Sequence, residues 1–560
     1  MSAGTRQAPT AAATTTTTRR LNPCWLLAVA AAGAGQSWAM VDSAAWPLPL
    51  LAIALLAAAV GGASPRQAAA LGWSFGCAWL LASTWWLYIS LHRYGGLAAP
   101  LAAAAVLLLC AALSLYLALG MAWVARQRGR RPPGHTARPL ADASRFAAAW
   151  LAAELARAVI FTGFPWAATG YSQVDGPLAV LAPWLGVYGL GALVAWAGAA
   201  VGLAFRGWHD GRLPGGGLRV RAVAVPLVLA IAVLALPAAW GLLRGAPDFT
   251  RASGSLTVAL LQTNVAQDEK FAAEHLPATL SWVARALLAA RADLVVAPET
   301  AVPLLPDQLA ELAPGYWTAL QQHFGRPGGP VALIGVPLGS YERGYTNSVV
   351  GLSPATVATP ASQPEAGYRY DKTHLVPFGE FIPTGFRWFT ELMNIPLGDF
   401  NRGPAHPPAF AVAGQRVAPN ICYEDLFGEE LARRFTDEAS APTVLANVGN
   451  IGWFGDTIAV PQHLLVTRLR TLELQRPMLR ATNTGATAVV DHRGLVTALL
   501  PPFSVGVLEA TVQGREGLTP FARWASAAGL WPLWALAALG LAWPGAPAAR
   551  AGRAAVGGDR

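Results

Sequence analysis

The sequence predicts a polytopic α-helical membrane protein that carries one extramembrane α/β domain. Two observations lead there. Of 560 residues, 54% are hydrophobic and only 13% are charged, about half the charged fraction of an ordinary soluble domain; a soluble core cannot bury that excess. The polar residues that remain gather in one long stretch, 244–521, where short β-branched runs alternate with helical patterns.

Apolar windows long enough to cross roughly 30 Å of hydrocarbon fall near 24–40, 46–63, 70–92, 98–125, 146–164, 178–205, 221–243 and 522–543. The first two are short and closely spaced. A cleavable secretory signal at the first is set aside, because no A-x-A-like site follows and further spans come at once. The chain divides into a membrane domain of about seven helices over 1–243, a polar domain over 244–515, and a last helix with its tail over 516–560.

Arginines orient the bundle. Arg6, Arg19 and Arg20 precede the first window, and Arg66 lies between the second and third. Arg126, Arg128, Arg130, Arg131, Arg138 and Arg145 crowd the loop after the fourth; Arg206, Arg212, Arg219 and Arg221 follow the sixth; Arg550, Arg553 and Arg560 close the chain. The alternate loops are short and nearly uncharged. The positive-inside rule then places both termini in the cytoplasm and the polar domain outside, in the periplasm of a bacterium with two membranes. The net charge of +9 goes with arginines clustered in short loops between apolar windows, so it argues for topology and not for nucleic-acid binding.

Within the polar domain, "LTVALLQTNV" (256–265), "DLVVAPET" (293–300), "VALIGVP" (331–337), "RVAPNICYE" (416–424), "TVLANVGN" (443–450) and "ATAVVDHRG" (486–494) read as buried strands. Helical patterns alternate with them at 275–291, 306–323, 427–436 and 460–476, which implies a sheet covered by helices. The Ser-, Thr-, Pro- and Ala-rich 353–367 stretch reads as a mobile surface loop. There is no internal repeat.

Strand ends are where α/β enzymes keep their chemistry, and three residues there stand out. Glu299, in "VAPET", reads on its own as a helix-start or surface acid beside a strand exit stiffened by Pro298, with a functional acid as the alternative. Lys372 is one of only two lysines, with Lys270, among 40 basic residues; a site that keeps Lys uses a compact ammonium of tunable pKa, which Arg does not supply. Cys422 ends a strand-like run and has no second cysteine in its domain, because Cys24, Cys77 and Cys110 all lie in apolar windows. A buried structural thiol is the bland alternative, but an unpaired thiol in an oxidising compartment is a liability unless it is used. No His or Cys cluster near it suggests a metal.

Together these three residues resemble the Glu–Lys–Cys triad of the nitrilase superfamily. The eight windows, with the α/β domain between the last two, narrow the resemblance to the apolipoprotein N-acyltransferase family over nearly the whole chain. The blocks that carry it are "WWLYISLHRYGG" (85–96), "WLAAELARAVIFTGFPWAATGYSQ" (150–173), "LQTNVAQ" (261–267), "APETAVP" (297–303) and "KTHLVPFGEFIP" (372–383). With them come "ICYEDLF" (421–427), "NIGWFGDT" (450–457), "LRTLELQRPMLRATNTGATAVVD" (469–491) and "TPFARW" (519–524). A lone "CYE" is weak; nine blocks in order are specific. The chain departs from the family at Ile451 and Gly452, where Asp-Ala is common before "WFG", and at Phe271, near which many members carry Trp.

The resemblance implies a nitrilase-like αββα sandwich, with Glu299 as base, Lys372 stabilising the transition state and Cys422 as nucleophile. It further implies that Glu380 is a second acid holding Lys372, and that Tyr423 and Glu424 support the nucleophile. A thiol of pKa near 8.5 needs a base or a cation to become mostly thiolate, and Glu299 with Lys372 is expected to provide both. The implied donor is a glycerophospholipid, typically phosphatidylethanolamine. The implied acceptor is the α-amine of a diacylglyceryl-cysteine at an apolipoprotein N-terminus. No soluble cofactor is expected, and the enzyme is expected to be a monomer in the bacterial inner membrane. Two other classes compete: a membrane-tethered nitrilase-type amidase, and a transporter with an accessory domain. The spans carry few ionisable residues and no paired helix breaks, which disfavours the transporter. "FTGFPW" with Trp85 and Trp86 is a candidate lining for a lipid mouth, although such Trp residues also serve as belt anchors. Glu154 and Arg157, three apart on the fifth span, are expected to pair inside the bundle.

Overall fold

The computed structural model describes residues 22–130, 138–210, 217–356, 367–383, 385–387 and 400–543. Most of the 353–367 stretch, both chain ends, and Arg131 and Arg212 lie outside these residues.

Each of the seven N-terminal windows is helical over at least part of its length: α1 (Pro23–Gln36), α2 (Pro47–Val60), α3 (Pro65–Thr84), α4 (Ala99–Gly129), α5 (Pro139–Val159), α6 (Ala182–His209) and α7 (Gly217–Arg244). The first six open with a proline in the first turn, where its fixed φ suits the helix and its missing N–H costs nothing. Four stretches are long and apolar enough to cross a membrane: Ser43–Val60, Ala99–Gly129, Ala179–His209 and Val220–Arg244. A fifth is counted if the last window, bent by 88° between Pro520–Ala528 and Trp531–Ala542, is one span. The expected eight therefore exceed what length and composition alone support. Helix α1 has 14 residues, Gly and Ser dilute α3, and α5 carries Asp142, Arg145, Glu154 and Arg157.

Helix α6 is the buried centre of the bundle, with 72% of its apolar window enclosed against 11% for α7. Small residues allow the close approach. A Cβ at Gly202 would stand 2.0 Å from the carbonyl oxygen of Ala54 on α2, the tight contact typical of helices packed in lipid.

Beyond α7 the chain forms two six-stranded sheets. The strands are β1 (Arg251–Gln262), β2 (Leu294–Val296), β3 (Val331–Ser340), β4 (Gly344–Leu352), β5 (Tyr368–Asp371), β6 (Phe410–Val412), β7 (Gln415–Ile421), β8 (Val444–Gly449), β9 (Met478–Thr482), β10 (Ala488–Val490), β11 (Val496–Leu499) and β12 (Gly506–Glu516). Their orders are β12-β1-β2-β3-β4-β5 and β11-β10-β9-β8-β7-β6. Parallel pairs β1–β2, β2–β3, β7–β8 and β8–β9 form the two centres. Val258, Leu260 and Val296 of one sheet share a buried cluster with Val417, Val444 and Leu479 of the other. Outside the first sheet pack α8 (Leu276–Ala289), α9 (Pro306–Leu312) and α10 (Tyr316–Phe324). Outside the second pack α11 (Gly428–Ala432), α12 (Ala459–Leu474) and α13 (Pro520–Ala528), before α14 (Trp531–Ala542) ends the described chain. The result is helix–sheet–sheet–helix, two sheets where strand periodicity alone read one covered sheet.

Candidate active site

The site is built where β2 and β7 run out. Each strand exits through a residue with left-handed φ: Thr300 at +52° just after Glu299, and Cys422 at +52°. Such a conformation is costly for a side chain with a Cβ, and it lifts the thiol out of the strand direction. Backbone crowding fixes the first exit, since a Cβ at Gly335 on β3 would lie 2.2 Å from the carbonyl oxygen of Pro298.

Lys372, fully buried just past β5, reaches both acids. Its Nζ stands 2.9 Å from Glu380 Oε1 and 3.5 Å from Glu299 Oε1. Asn347 on β4 bridges the same two carboxylates, with Nδ2 2.7 Å from Glu299 Oε1 and 2.8 Å from Glu380 Oε1. Its backbone carbonyl also accepts the Lys372 N–H at 2.8 Å. Glu380 is steadied from its own turn by the Val376 N–H at 2.8 Å. Burial works against the Lys372 ammonium, but Glu380, Glu299 and Cys422 together outweigh it and raise its pKa above the ordinary lysine value. The surrounding acids thus favour the charged form of Lys372.

Cys422 is half-buried and unbonded to other cysteines. Burial pushes its pKa up, Glu299 and Glu380 add to that, and Lys372 with the Asn450 N–H only partly offset it. The net direction is upward, which corrects the expectation that Glu299 and Lys372 hold a mostly ionised thiolate. A thiol in this setting loses its proton to a base as it reacts.

Glu424 fastens the two halves together. Its carboxylate accepts from the N–H of Ile421 and the hydroxyl of Tyr370, each at 2.6 Å. It also accepts from Thr373 N and Oγ1 at 2.6 and 2.9 Å and from His374 N at 3.1 Å. The loop that carries Lys372 is thereby pinned to the turn that carries Cys422. Behind that turn, Asp425 accepts from Thr467 Oγ1 at 2.9 Å and Arg480 Nη1 at 3.1 Å, and lies 2.8 Å from His463 Nε2.

The site faces the helical bundle. Tyr423 Oη donates to the carbonyl of Gly163 at 3.0 Å. Gln462 Oε1 on α12 accepts from Trp86 and Trp166 at 3.2 and 2.8 Å. Trp86 is 1% exposed and Trp85 43%, so the pair divides between a buried contact and an open surface. Phe161, in "FTGFPW", is exposed. Glu154 and Arg157 are buried but form no mutual ion pair among the described residues. Glu154 accepts from Thr169 N and Oγ1 at 2.8 and 2.7 Å, and Arg157 donates to the carbonyls of Phe164 and Trp166. The loop's own polar groups win over the expected pairing. Ile451 is buried in the turn after Asn450, and Phe271 is half-buried.

Two residues of the cluster carry no motif signal. Asn347 sits in an ordinary strand pattern. Lys270, buried, donates to the Glu299 carbonyl at 2.9 Å; its rarity was the one sign available. Among the described residues no group of His, Cys, Asp and Glu is arranged to hold a metal.

A sheet sandwich with a cysteine and two acids around a lysine at its strand ends defines the class. A family model described as carbon-nitrogen hydrolase matches residues 257–520. A second, described as the apolipoprotein N-acyltransferase N-terminal domain, matches 32–200. Among relatives, the apolipoprotein N-acyltransferase of Verminephrobacter eiseniae is 49% identical over 521 residues, 91% of this chain and 93% of its own. That of Ralstonia nicotianae is 47% identical over 490 residues, 87% of each. The chain belongs to the apolipoprotein N-acyltransferase family. A carbon-nitrogen hydrolase from Helicobacter pylori G27 is also similar, at 14% identity and a TM-score of 0.33, covering 50% of this chain and 94% of that one; the likeness is too low to add to the assignment.

Proposed function

We propose that this chain moves a fatty acyl group from a glycerophospholipid, typically phosphatidylethanolamine, to the α-amine of the diacylglyceryl-cysteine at an apolipoprotein N-terminus. The observation that carries the reading is the Glu299–Lys372–Glu380 cluster beside the lone Cys422, on a turn bonded to the helical bundle. Family membership supports transfer over the hydrolysis expected of a tethered amidase.

In this reading Glu299 takes the thiol proton as Cys422 Sγ attacks the ester carbonyl, and Lys372 faces the developing oxyanion. Collapse breaks the ester C–O bond, and the lysophospholipid alkoxide leaves with the proton from Glu299. The α-amine, arriving unprotonated, then attacks the thioester. Glu299 accepts its proton and returns it to the Cys422 thiolate as the C–S bond breaks. Glu380 and Asn347 hold Lys372 and Glu299 in place, while Glu424 and Tyr423 fix the nucleophile turn. No cofactor enters.

The reading also takes residues 244–515 as the catalytic domain, facing the periplasm, hung between a 1–243 membrane domain and a 516–560 final span and tail. Eight spans keep both termini cytoplasmic, and the enzyme acts as a monomer in the inner membrane. Short α1 and polar α5 cross within the bundle, where neighbours shield their polar groups.

Intact-mass measurement of the enzyme incubated with phosphatidylethanolamine tests it. One acyl mass should appear, be removed by hydroxylamine, be absent from Cys422→Ala, and pass to a peptide beginning with diacylglyceryl-cysteine. Release of the chain only as free fatty acid would overturn transfer in favour of hydrolysis.

A further inference from the structure

Resting on the acyl-transfer reading, we propose that Lys270 is a positioning residue of the active site, whose buried ammonium fixes the Glu299 strand end and supplies positive charge that eases ionisation of Cys422.

The chain uses lysine twice among its 40 basic residues, and both lysines touch Glu299: Lys372 at the carboxylate and Lys270 at the backbone carbonyl, 2.9 Å away. Lys270 is 5% exposed, yet among the described residues no carboxylate lies within ion-pair distance of it. Burying an ammonium without a carboxylate partner is expensive, and Lys270 holds one hydrogen bond for its three protons.

The turn that carries it is built rigidly. Val265 N donates to Asn483 Oδ1 at 2.9 Å, and Asn483 Nδ2 returns a bond to Val265 O at 2.8 Å. Gln267 Oε1 accepts from Asn450 Nδ2 at 2.7 Å, and the Asn450 N–H bonds the Cys422 thiol. Asp268, on the same turn, is turned outward to Arg93 at 2.8 Å, and Glu269 is exposed. The groups whose charge Lys270 meets are Glu299 and Cys422. Burial lowers its pKa to about 8, against the opposing pull of those two groups. It is therefore charged at neutral pH and loses that charge just above it, unlike Lys372.

The test is the rate at which iodoacetamide alkylates Cys422, read on its own peptide by mass, in full-length enzyme purified in detergent free of phospholipid. Wild type, Lys270→Met and Lys270→Arg are compared from pH 6 to 10. Lys270→Met keeps the aliphatic stem and should react about tenfold more slowly below pH 8, the effect of a one-unit rise in thiol pKa. The gap should close above pH 8, where the native lysine is itself neutral. Lys270→Arg should restore the rate below pH 8 and hold it above. Identical profiles for wild type and Lys270→Met, a loss of equal size at every pH, or an arginine variant no better than methionine would each overturn the proposal. Alkylation needs neither donor nor acceptor, so absence of a thioester in wild type would sink the acyl-transfer reading and leave this measurement intact.

Discussion

Tyr423 Oη bonds the carbonyl oxygen of Gly163 at 3.0 Å, so the residue beside Cys422, the proposed nucleophile, is anchored in a loop of the helical bundle. Gly163 itself has φ +90°, and a Cβ there would stand 1.9 Å from the carbonyl oxygen of Ala158. Tyr423→Phe should cost about 1 kcal/mol, the net worth of one hydrogen bond, and slow acylation modestly. Gly163→Ala should cost more on both counts. Melting curves and adduct formation in parallel check the ranking; a harmless Gly163→Ala would show that the loop does not set the nucleophile's position.

Asn347 spaces two buried acids that share one ammonium. Asn347→Asp puts a third carboxylate there and should lower the acylation rate by more than Asn347→Ala does. Asn347→Ala should itself cost about 1.5–3 kcal/mol of stability, as expected for hydrogen bonds to charged groups. Single-turnover adduct formation and thermal unfolding decide between the two effects.

Lys372→Arg should fold and lose about 10²–10³ in rate, the range for removal of one oxyanion donor, because a planar guanidinium does not reproduce a point charge between Glu299 and Glu380. Lys372→Met should instead destabilise by about 3–5 kcal/mol, leaving two buried acids without a cation. Near-native turnover in the arginine variant would remove Lys372 from the chemistry.

Glu429 offers a pH test away from the nucleophile. Burial, then repulsion from Glu430, pushes its pKa up from 4.5 to about 7. Between those values the folded chain holds a proton that the unfolded chain has lost, so this residue's contribution to stability falls as pH rises from 4.5 to about 7 and is level beyond. Glu429→Gln removes the penalty and should stabilise by up to about 3 kcal/mol at pH 8. It should do nothing near pH 4. Melting temperatures at the two pH values check it, and equal shifts at both would refute the assignment.

Much of the candidate site is legible in the sequence because it gathers rare residue types at strand ends. Glu299, Lys372 and Cys422 stood out as a strand-end acid, a lysine in an arginine-rich chain, and a lone thiol; the family resemblance added Glu380, Tyr423 and Glu424. Asn347 did not stand out, since one Asn in "GYTNSVVGL" looks like any strand polar group. Short strands such as β5 and β6 have four and three residues, too few for period-two alternation to register. Strands of both sheets are legible, since 416–424, 443–450 and 486–494 all fall in the second, but period-two alternation does not say which strands pair, so the division into two sheets comes from the family resemblance. The Glu154–Arg157 spacing places both side chains inside the bundle, where they lie, but it carries no information on the groups of 164–169 that bond them in place of each other.

The outermost pairing of the first sheet sets Arg251 opposite Glu516, and the two side chains bond at 2.7 Å. The chain therefore enters and leaves the α/β domain through adjacent points on neighbouring strands, about 5 Å apart as in any antiparallel pair. Topologically the domain is an insertion, a closed module plugged into one inter-helix connection. Its doorway is narrow enough for a tight turn to close, so along the chain's path the sandwich is a side loop of the helical scaffold, entered and left at one place.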